Sequence, residues 1–308
     1  MAGQRVIIDT DPGVDDAVAI LLALASEELD VVAITTVAGN VGIDATTLNA
    51  RRLVELAGRS DIVVARGASV GLGGSVELSS EVHGRDGLGD LEWDEPAVAE
   101  HPAHAVDLMA ELIEHGPLRI IAIGPLTNLA LLLERYPGID ARVEEVVIMG
   151  GASFEGNVNP AAEFNIWADP EGAARVFAAV WPITLMPLDL THQATLNDED
   201  FAYLRAMGSE VGRRVADMLE PYADFHDTWY ASRDVFMHDA MAVYELIDRH
   251  AITKQGVHVN VETGGDHSRG ATWIDRRREH AGSPVRVGLS VDNERFVAML
   301  RTRLATYR

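Results

Sequence analysis

Short apolar runs alternate with helix-forming stretches along most of this chain. The runs are four to eight residues long and predict buried strands at 5–9, 31–38, 62–65, 118–123, 143–149 and 183–188. The segments between them predict helices at 15–26, 45–57, 127–134 and 170–179. This alternation is typical of parallel strands that helices cover on both faces. We therefore predict an α/β fold, doubly wound around a mostly parallel sheet.

The last third of the chain departs from this alternation. Residues 198–250 predict a mostly helical insertion, and 293–307 predict a final helix. Between them, the segments 257–262, 271–275 and 284–290 predict a few C-terminal strands, for which we consider antiparallel pairing. At about 150 residues per domain the length also allows two domains, but no linker or repeat divides the chain. We predict one domain over 1–308.

Charge and composition exclude several classes of protein. The chain has 25 basic and 48 acidic residues, for a net charge of −23, which argues against nucleic-acid binding and disfavours anionic substrates such as nucleotides. Cysteine is absent, so disulfides, zinc–thiolate sites and cysteine nucleophiles are excluded. The longest apolar run has nine residues, against the roughly 20 that a membrane helix needs. With no secretory signal pattern, we expect a cytoplasmic protein without membrane association.

Polar side chains follow the predicted strands where they end. Four aspartates (Asp9, Asp11, Asp15, Asp16) come with the first strand, and further polar residues follow the others: Asn40, Thr127, Asn128, Asn157, Glu163, Asn165, Asp189, Thr191 and His192. Lysine and arginine are nearly absent from these positions. Because ligands of doubly wound sheets bind beyond the carboxyl ends of the strands, we expect these residues to line one crevice.

Clustered carboxylates at such an edge repel one another unless a cation lies among them. Oxygen ligands favour calcium or magnesium, although an acidic turn that caps a helix in solvent is the simpler alternative. Equally simple alternatives exist elsewhere. His238 and Asp239 could cap the helix that follows them, His83 could be an ordinary surface side chain, and Glu163 with the two residues after it could cap the helix that starts near Pro170.

The segment Asp9-Thr-Asp-Pro-Gly-Val-Asp-Asp16 resembles the N-terminal signature of the inosine/uridine-type nucleoside hydrolases. The resemblance continues in family order through nearly the whole chain. It includes Gly39-Asn40, His83-Gly-Arg-Asp-Gly87, Gly124-Pro-Leu-Thr-Asn128, Met149-Gly-Gly151, Ala162-Glu-Phe-Asn165, Leu188-Asp-Leu-Thr-His192 and His238-Asp239. The resemblance implies an enzyme that hydrolyses the N-glycosidic bond of ribonucleosides to ribose and free base.

By this resemblance, Asp11, Asp16, the main-chain oxygen of Thr127 and Asp239 hold a calcium ion, which also binds the ribose and one water. The bond breaks through an oxocarbenium-like state, whose positive charge nearby carboxylates stabilise. The metal would lower the pKa of its water, and Asp11 would accept the proton. His238 would act as general acid on the leaving base, with an unperturbed pKa near 6.5.

The resemblance also assigns the substrate contacts. The ribose would be held by Asp15, Asn40, Asn157, Glu163 and Asn165, with Met149 packed beside it. The base would meet His83, Phe164 and the segment 222–230, where Tyr222, His226 and Tyr230 are candidates and Trp229 could stack. Purine-specific relatives stack the base between tryptophans, so the two histidines favour pyrimidine or broad specificity.

Other readings stay open at this stage. An Asp-x-Asp after the first strand also opens haloacid-dehalogenase-type phosphatases, in which Asp9 would be the nucleophile, but the crevice motifs offer hardly a cation for phosphate. A non-catalytic nucleoside- or sugar-binding protein on the same scaffold is the main alternative, and a modified nucleoside could be the substrate. The resemblance further implies a role in nucleobase salvage and a homodimer or homotetramer.

Overall fold

The computed structural model describes residues 3–75 and 78–308. Val76 and Glu77 lie outside the described residues, as do Met1 and Ala2. The strands are β1 (Gln4–Thr10), β2 (Leu29–Thr36), β3 (Val63–Arg66), β4 (Glu100–His101), β5 (Arg119–Ala122), β6 (Glu145–Met149), β7 (Ile183–Met186), β8 (Thr195–Leu196), β9 (Val235–Phe236), β10 (Ile252–Gly256), β11 (His258–Val261), β12 (Thr272–Asp275) and β13 (Val285–Val291). The α-helices are α1 (Val14–Leu24), α2 (Ile43–Leu56), α3 (Ser80–His83), α4 (Ala105–Glu114), α5 (Thr127–Arg135), α6 (Phe164–Ala168), α7 (Pro170–Phe177), α8 (Leu188–Thr191), α9 (Asp198–Ala206), α10 (Glu210–Tyr230), α11 (Ala240–Ile247) and α12 (Asn293–Leu304). Short 3₁₀ turns span Ile139–Arg142 and Arg278–His280.

A nine-stranded sheet organises the molecule, in the order β10-β13-β7-β6-β5-β1-β2-β3-β4. Every neighbouring pair is parallel except β10 with β13. The predicted doubly wound, mostly parallel fold is confirmed. The eight strands that lie side by side from β13 across the sheet to β4 run in the same direction. Their carboxyl ends therefore open onto one edge of the sheet. Within the described residues, no helix is both long and apolar enough to cross a membrane.

Side chains on each strand alternate between two apolar layers. Ile8 and Ile121 pack into one buried cluster with α1, α10 and α11, whereas Ile7 and Ile120 pack into the other with α4, α5 and α7. A strand buried on both faces needs apolar residues at successive positions, which accounts for the continuous runs in the sequence. Helices therefore cover both faces, as predicted.

The C-terminal strands divide between two sheets. β11 and β12 pair antiparallel in a separate two-stranded sheet, as considered for 257–262 and 271–275. The predicted strand 284–290 is instead β13, which runs parallel to β7 inside the main sheet. The adjoining strand β10 was not predicted, because its sequence, Ile-Thr-Lys-Gln-Gly, lacks an apolar run. Its edge position leaves one side unpaired and tolerates polar residues.

The sequence also did not predict the two-residue strands β4, β8 and β9 or the helices α4, α6 and α8. The segment 67–96, which is rich in glycine and acidic residues, contains the single-turn helix α3, which ends at His83. Its four residues are too few to give a periodic signal. This turn carries His83 from the loop to a position beside the start of α1.

The only lysine in the chain pairs with a buried carboxylate. Glu245 on α11 is fully buried, and Lys254 Nζ on β10 lies 2.7 Å from its Oε2 and 2.9 Å from the carbonyl oxygen of Arg249. Arg249 approaches the other carboxylate oxygen at 3.3 Å. Burial raises the pKa of Glu245, and both cations oppose that rise. The pair thus ties the edge strand β10 to the helical layer.

We expect Lys254→Met to lower the free energy of unfolding by about 2–4 kcal/mol, because it leaves Glu245 buried with only Arg249 beside it. Urea denaturation would measure the loss. Arg59→Met is the control, since the Arg59–Asp61 pair is exposed and should contribute less than about 1 kcal/mol. Equal losses in the two variants would contradict a structural role for the buried pair.

Candidate active site

A cavity opens at the carboxyl edge of the sheet, and most of the predicted site residues meet there. The predicted residues that line it are Asp15, Asn40, His83, Met149, Asn157, Glu163, Phe164, Asn165, Tyr222, His226, Tyr230, His238 and Asp239. Asp11, Asp16 and Thr127 are buried outside this lining. The lining residues that were not predicted are Ser79, Val82, Ile123, Val158 and Phe225.

Three carboxylates form a compact cluster at one side of the cavity. Asp15 and Asp16 lie in the first turn of α1, and Asp239 directly precedes α11. All three are buried, and each offers an oxygen within 4.8 Å of the others. Asp11 lies close enough for its charge to raise the pKa of Asp239. The cluster therefore includes Asp15, which the resemblance assigns to the ribose, and Asp11 lies near the cluster.

Two glycines leave the space that the carboxylate of Asp11 occupies. A Cβ on Gly39, after β2, would lie 2.1 Å from Asp11 Oδ2, and one on Gly124, after β5, would lie 2.5 Å from Oδ1. The main-chain N–H of Asn40 donates to Oδ2 at 2.7 Å. Oδ1 is buried without a hydrogen-bond partner among the described residues. The loops after β2 and β5, the two strands that flank β1, thus enclose this carboxylate, and the loop after β5 leads to Thr127.

The cluster is negative and lacks a compensating charge. Burial, followed by repulsion from the neighbouring carboxylates, raises the pKa of Asp11 and Asp239 well above the ordinary value and that of Asp15 to about 8. Among described side chains the nearest basic group is His83, with Nδ1 3.9 Å from Asp15. Burial lowers the pKa of His83 to about 3, so it carries no charge. An all-oxygen set with an unpartnered oxygen fits a divalent cation.

Asp16 is held by its own loop and by Asn40. Thr10 Oγ1 donates to Asp16 Oδ1 at 2.5 Å, and Gly13 N–H and Asn40 Nδ2 each donate to Oδ2 at 2.9 Å. Asn40 Nδ2 also reaches the carbonyl oxygen of Asp11 at 3.1 Å. Asn40, predicted as a substrate contact, therefore also holds the two acidic segments together.

Asp9 was singled out within the acidic segment but lies beneath the site. It is 1% exposed, and its Oδ1 accepts from Thr35 Oγ1 at 2.7 Å and from Asn128 Nδ2 at 2.8 Å. Burial raises its pKa to about 7. Asn128 also donates to the carbonyl oxygen of Thr36 at 3.0 Å. A haloacid-dehalogenase-type phosphatase would need Asp9 as an accessible nucleophile and a basic side chain to bind phosphate. Asp9 is buried and no described lining residue is lysine or arginine, so the structure argues against this alternative.

The opposite side of the cavity is built around α6. Glu163 caps this helix, accepting from the N–H groups of Asn165 and Gly151 at 2.8 Å each, and burial raises its pKa to about 7. Asn165 Nδ2 donates to the carbonyl oxygen of Met149 at 3.2 Å, and Asn157 Oδ1 accepts from the N–H of Phe164 at 2.9 Å. The alternative in which Glu163 caps the helix near Pro170 is wrong, because Asp169 caps that helix by accepting from the N–H of Gly172 at 3.0 Å. Glu163 instead caps α6, and its side chain lines the cavity as well.

One face of α10 supplies the aromatic wall. Phe225 and His226 follow Tyr222 by three and four residues, Tyr230 follows His226 by four, and all four side chains line the cavity. Trp229, a candidate for stacking on the base, is 68% exposed and is not a lining residue, so that expectation is wrong. Because Trp229 is seven residues after Tyr222, helical spacing alone would have placed it on the same face, and the sequence could not reject it.

His238 differs from the sequence expectation in its acidity. The side chain is partly exposed to the cavity, and the packing around it, with the other histidines, lowers its pKa well below the usual value. Its Nδ1 lies 2.6 Å from Thr191 Oγ1. An unperturbed pKa near 6.5 was therefore the wrong premise for its role.

Comparisons with known proteins identify relatives across the full chain. Residues 6–298 match the model of the inosine-uridine preferring nucleoside hydrolases. The pyrimidine-specific ribonucleoside hydrolases RihA of Shewanella woodyi and Photobacterium profundum are 40% and 39% identical, each alignment covering 99% of both chains. Among solved structures, a plant nucleoside hydrolase has a TM-score of 0.93 at 36% identity, covering 98% of this chain and 99% of the other. A purine-preferring ribonucleoside hydrolase from Gardnerella vaginalis has a TM-score of 0.93 at 31% identity, covering 98% of each chain.

We expect Gly39→Ala to weaken divalent-cation binding by at least about 10-fold, because the new methyl group displaces Asp11 from its position beside the cluster. Calorimetric titration of metal-free protein with calcium would measure the affinity. Gly42→Ala is the matched control, since a Cβ there meets no atom within 4 Å. Unchanged affinity in Gly39→Ala would show that Asp11 takes no part in holding the cation.

The raised pKa values predict how the stability of the metal-free protein depends on pH. Because Asp9 and Asp15 have folded-state pKa values of about 7 and 8, above those of unfolded aspartate, the folded state binds more protons near neutral pH. The free energy of unfolding should therefore fall as pH rises from about 4 to 7, by up to about 1.4 kcal/mol per pH unit for each group.

Asp9→Asn should reduce this slope by about one group's share, since asparagine keeps the shape and cannot titrate. Urea denaturation at several pH values in the presence of a chelator would measure it. Asp61→Asn is the control because Asp61 is exposed and its pKa is lowered, so it leaves the slope above about pH 4 unchanged. Identical slopes in Asp9→Asn and wild type would contradict the raised pKa of Asp9.

Proposed function

Because the chain belongs to the inosine-uridine preferring nucleoside hydrolase family, we propose that it hydrolyses pyrimidine ribonucleosides with the help of a bound calcium ion. Family membership confirms the resemblance seen in the sequence motifs and makes the protein a hydrolase of ribonucleoside N-glycosidic bonds. The base preference, the metal and the roles of individual residues are our proposal. The observation that carries it is the buried carboxylate cluster beside a cavity whose other wall is aromatic and rich in imidazole.

Asp11, Asp16 and Asp239, with the main-chain oxygen of Thr127, are the proposed holders of the cation. The unpartnered Oδ1 of Asp11 and the raised pKa values support this choice, since buried carboxylates of this kind need a positive neighbour. Calcium, when bound, would neutralise the cluster and make a nearby water more acidic. Magnesium binds the same kind of oxygen ligands, and we favour calcium because the family resemblance implies it.

The ribose hydroxyls are the proposed partners of the polar lining residues. These are Asp15, Asn40, Asn157, Glu163 and Asn165, with Met149 against the sugar. Most of them are buried and already fixed by main-chain hydrogen bonds, which orients their remaining atoms before substrate arrives. A site built to bond hydroxyls discriminates against sugars that lack one, because a buried amide or carboxylate is then left unpaired.

Asp11 is the proposed general base. Its Oδ1 has no other described partner and can accept a proton from the attacking water, whose oxygen then bonds to C1′. The bond between C1′ and the base nitrogen breaks, and its electron pair leaves with the base. The carboxylates beside the ring stabilise the positive charge that develops on the sugar.

His238 is the proposed group that assists the leaving base. Its lowered pKa means that the ring is neutral, so Nε2–H stabilises the departing anion by a hydrogen bond and solvent supplies the proton. This revises the proton transfer expected from an ordinary histidine pKa. His83 lies against Tyr222, with ring centroids 5.6 Å apart, and can contact the base from the same wall.

The pyrimidine preference rests on two observations. Several relatives at 39–40% identity over the whole chain are named pyrimidine-specific. No tryptophan is among the described lining residues, whereas Phe164, Tyr222, His226 and Tyr230 are, so hydrogen bonds and smaller rings would meet the base. The salvage role, the cytoplasmic location and the homodimer or homotetramer stay predictions.

The decisive assay is release of reducing sugar from uridine, cytidine, inosine and adenosine, with calcium and after exhaustive chelation. We expect uridine and cytidine to exceed the purines in kcat/KM by at least about 10-fold, the contribution of one or two base contacts. Chelation should abolish turnover and calcium should restore it.

Asp11→Asn should remove turnover, while Asp61→Asn, which changes an exposed carboxylate far along the chain, should retain it. Turnover that survives chelation would contradict the metal-assisted mechanism. No turnover of any of the four, with calcium still bound, would favour a binding-only protein or a modified nucleoside as substrate.

A further inference from the structure

We propose that Thr191 is a positioning residue that keeps the hydrogen of His238 on Nε2, the ring nitrogen that faces the substrate. This inference rests on the proposed function, in which His238 assists the leaving base. Thr191 does not line the cavity and would not touch the substrate. It acts only through the imidazole.

The fold brings Thr191 and His238 together by a small clamp. Thr191 ends α8, immediately after β7 and close to the strand β8, while His238 follows β9. β8 and β9 pair antiparallel, and the N–H of Met237 extends their ladder by donating to the carbonyl oxygen of Ala194 at 2.8 Å. These main-chain hydrogen bonds hold the segment after Thr191 beside the segment that leads to His238.

Aromatic rings also pack against the imidazole of His238. Phe236 and His192 are tilted against it, with ring centroids 5.6 and 5.5 Å away. His192 in turn stacks on Phe236 at 4.3 Å. Within this packing, Nδ1 of His238 lies 2.6 Å from the hydroxyl oxygen of Thr191. Nε2 is the ring nitrogen left to meet a ligand in the cavity.

The hydrogen-bond partners available to Thr191 determine which ring nitrogen of a neutral His238 carries the hydrogen. Thr191 is fully buried, and within the described part of the chain its hydroxyl contacts no hydrogen-bonding group other than His238 Nδ1. If a neutral ring carried its hydrogen on Nδ1, that hydrogen would point at Oγ1 and the hydroxyl hydrogen would be left unpaired in the interior. The satisfied arrangement is the hydroxyl donating to Nδ1, with the ring hydrogen on Nε2.

The same conclusion holds for a protonated ring, which carries hydrogens on both nitrogens and uses Oγ1 as an acceptor. In either state Nε2 presents a hydrogen to the cavity. Without the hydroxyl, a neutral imidazole could place its hydrogen on Nδ1 and turn a lone pair toward the leaving base. The hydroxyl of Thr191 therefore selects the form of His238 that can stabilise the electron pair received by the base.

Thr191→Val tests this directly, since valine keeps the branched shape and removes the hydroxyl. We expect kcat for uridine to fall at least about 10-fold with KM within about threefold, because an interaction of the transition state is lost. Hydrolysis of 4-nitrophenyl β-D-riboside should change by less than about threefold, because its leaving group is a stable anion that needs no assistance. Thr191→Ser should keep the uridine rate, and His238→Ala should show the same contrast between substrates with a larger loss on uridine.

Two kinetic results would overturn the proposal. Equal loss on both substrates would mean that Thr191 supports the fold or the metal site, and an unchanged uridine rate in Thr191→Val would mean that the hydroxyl is irrelevant. Melting temperatures of the variants would identify a folding defect. If wild-type protein cleaves neither substrate, the proposed function fails, and the placement of the hydrogen is then judged by spectroscopy alone.

Nitrogen-15 NMR of histidine-labelled wild-type protein provides that measurement without any turnover. His238→Gln would assign the signals, and we expect the pattern of an imidazole protonated at Nε2 and bare at Nδ1. Thr191→Val should shift the signals toward the other form. A wild-type ring protonated only at Nδ1 would overturn the inference.

Discussion

Repulsion among four buried aspartates is the constraint on which the rest of this structure depends. Asp11, Asp15, Asp16 and Asp239 are buried within reach of one another's charge, and no described side chain offers them a cation. Protons or a divalent cation must offset this charge. Gly39 and Gly124 leave space for the carboxylate of Asp11. Amide N–H groups of Asn40 donate to carboxylate oxygens of Asp11 and Asp16 and help to hold them in place.

The cavity brings carboxylates and neutral imidazoles together at the carboxyl edge of the sheet. His83 Nδ1 lies 3.9 Å from Asp15, and His238 directly precedes Asp239. N-glycosidic cleavage leaves positive charge on the sugar and negative charge on the base. Acceptors and hydrogen-bond donors that are fixed in advance need little reorganisation when such charges develop. The helix α1 carries Asp15, and the main chain that follows β9 carries His238 and Asp239.

Much of this arrangement could be predicted from the sequence because it depends on local patterns. Continuous apolar runs identified the parallel strands, and polar residues at their ends identified the crevice. The strand at 252–256 escaped prediction because an edge strand needs no apolar run, and Trp229 was misplaced because its spacing of seven residues from Tyr222 predicts the same helix face. The acidity of His238 depends on groups from several distant segments, and no local pattern contains that information.

The acidic cluster joins residues that are far apart in the chain, and this separation orders its assembly in time. Asp239 comes more than two hundred residues after Asp16. At about 5–20 residues per second, a ribosome displays the first three aspartates for roughly ten seconds or longer before the last one is made. During that interval the amino-terminal segment lacks a complete ligand set. The four carboxylates can therefore meet only after Asp239 has been made, and until then the sheet edge carries the first three acidic groups without the fourth.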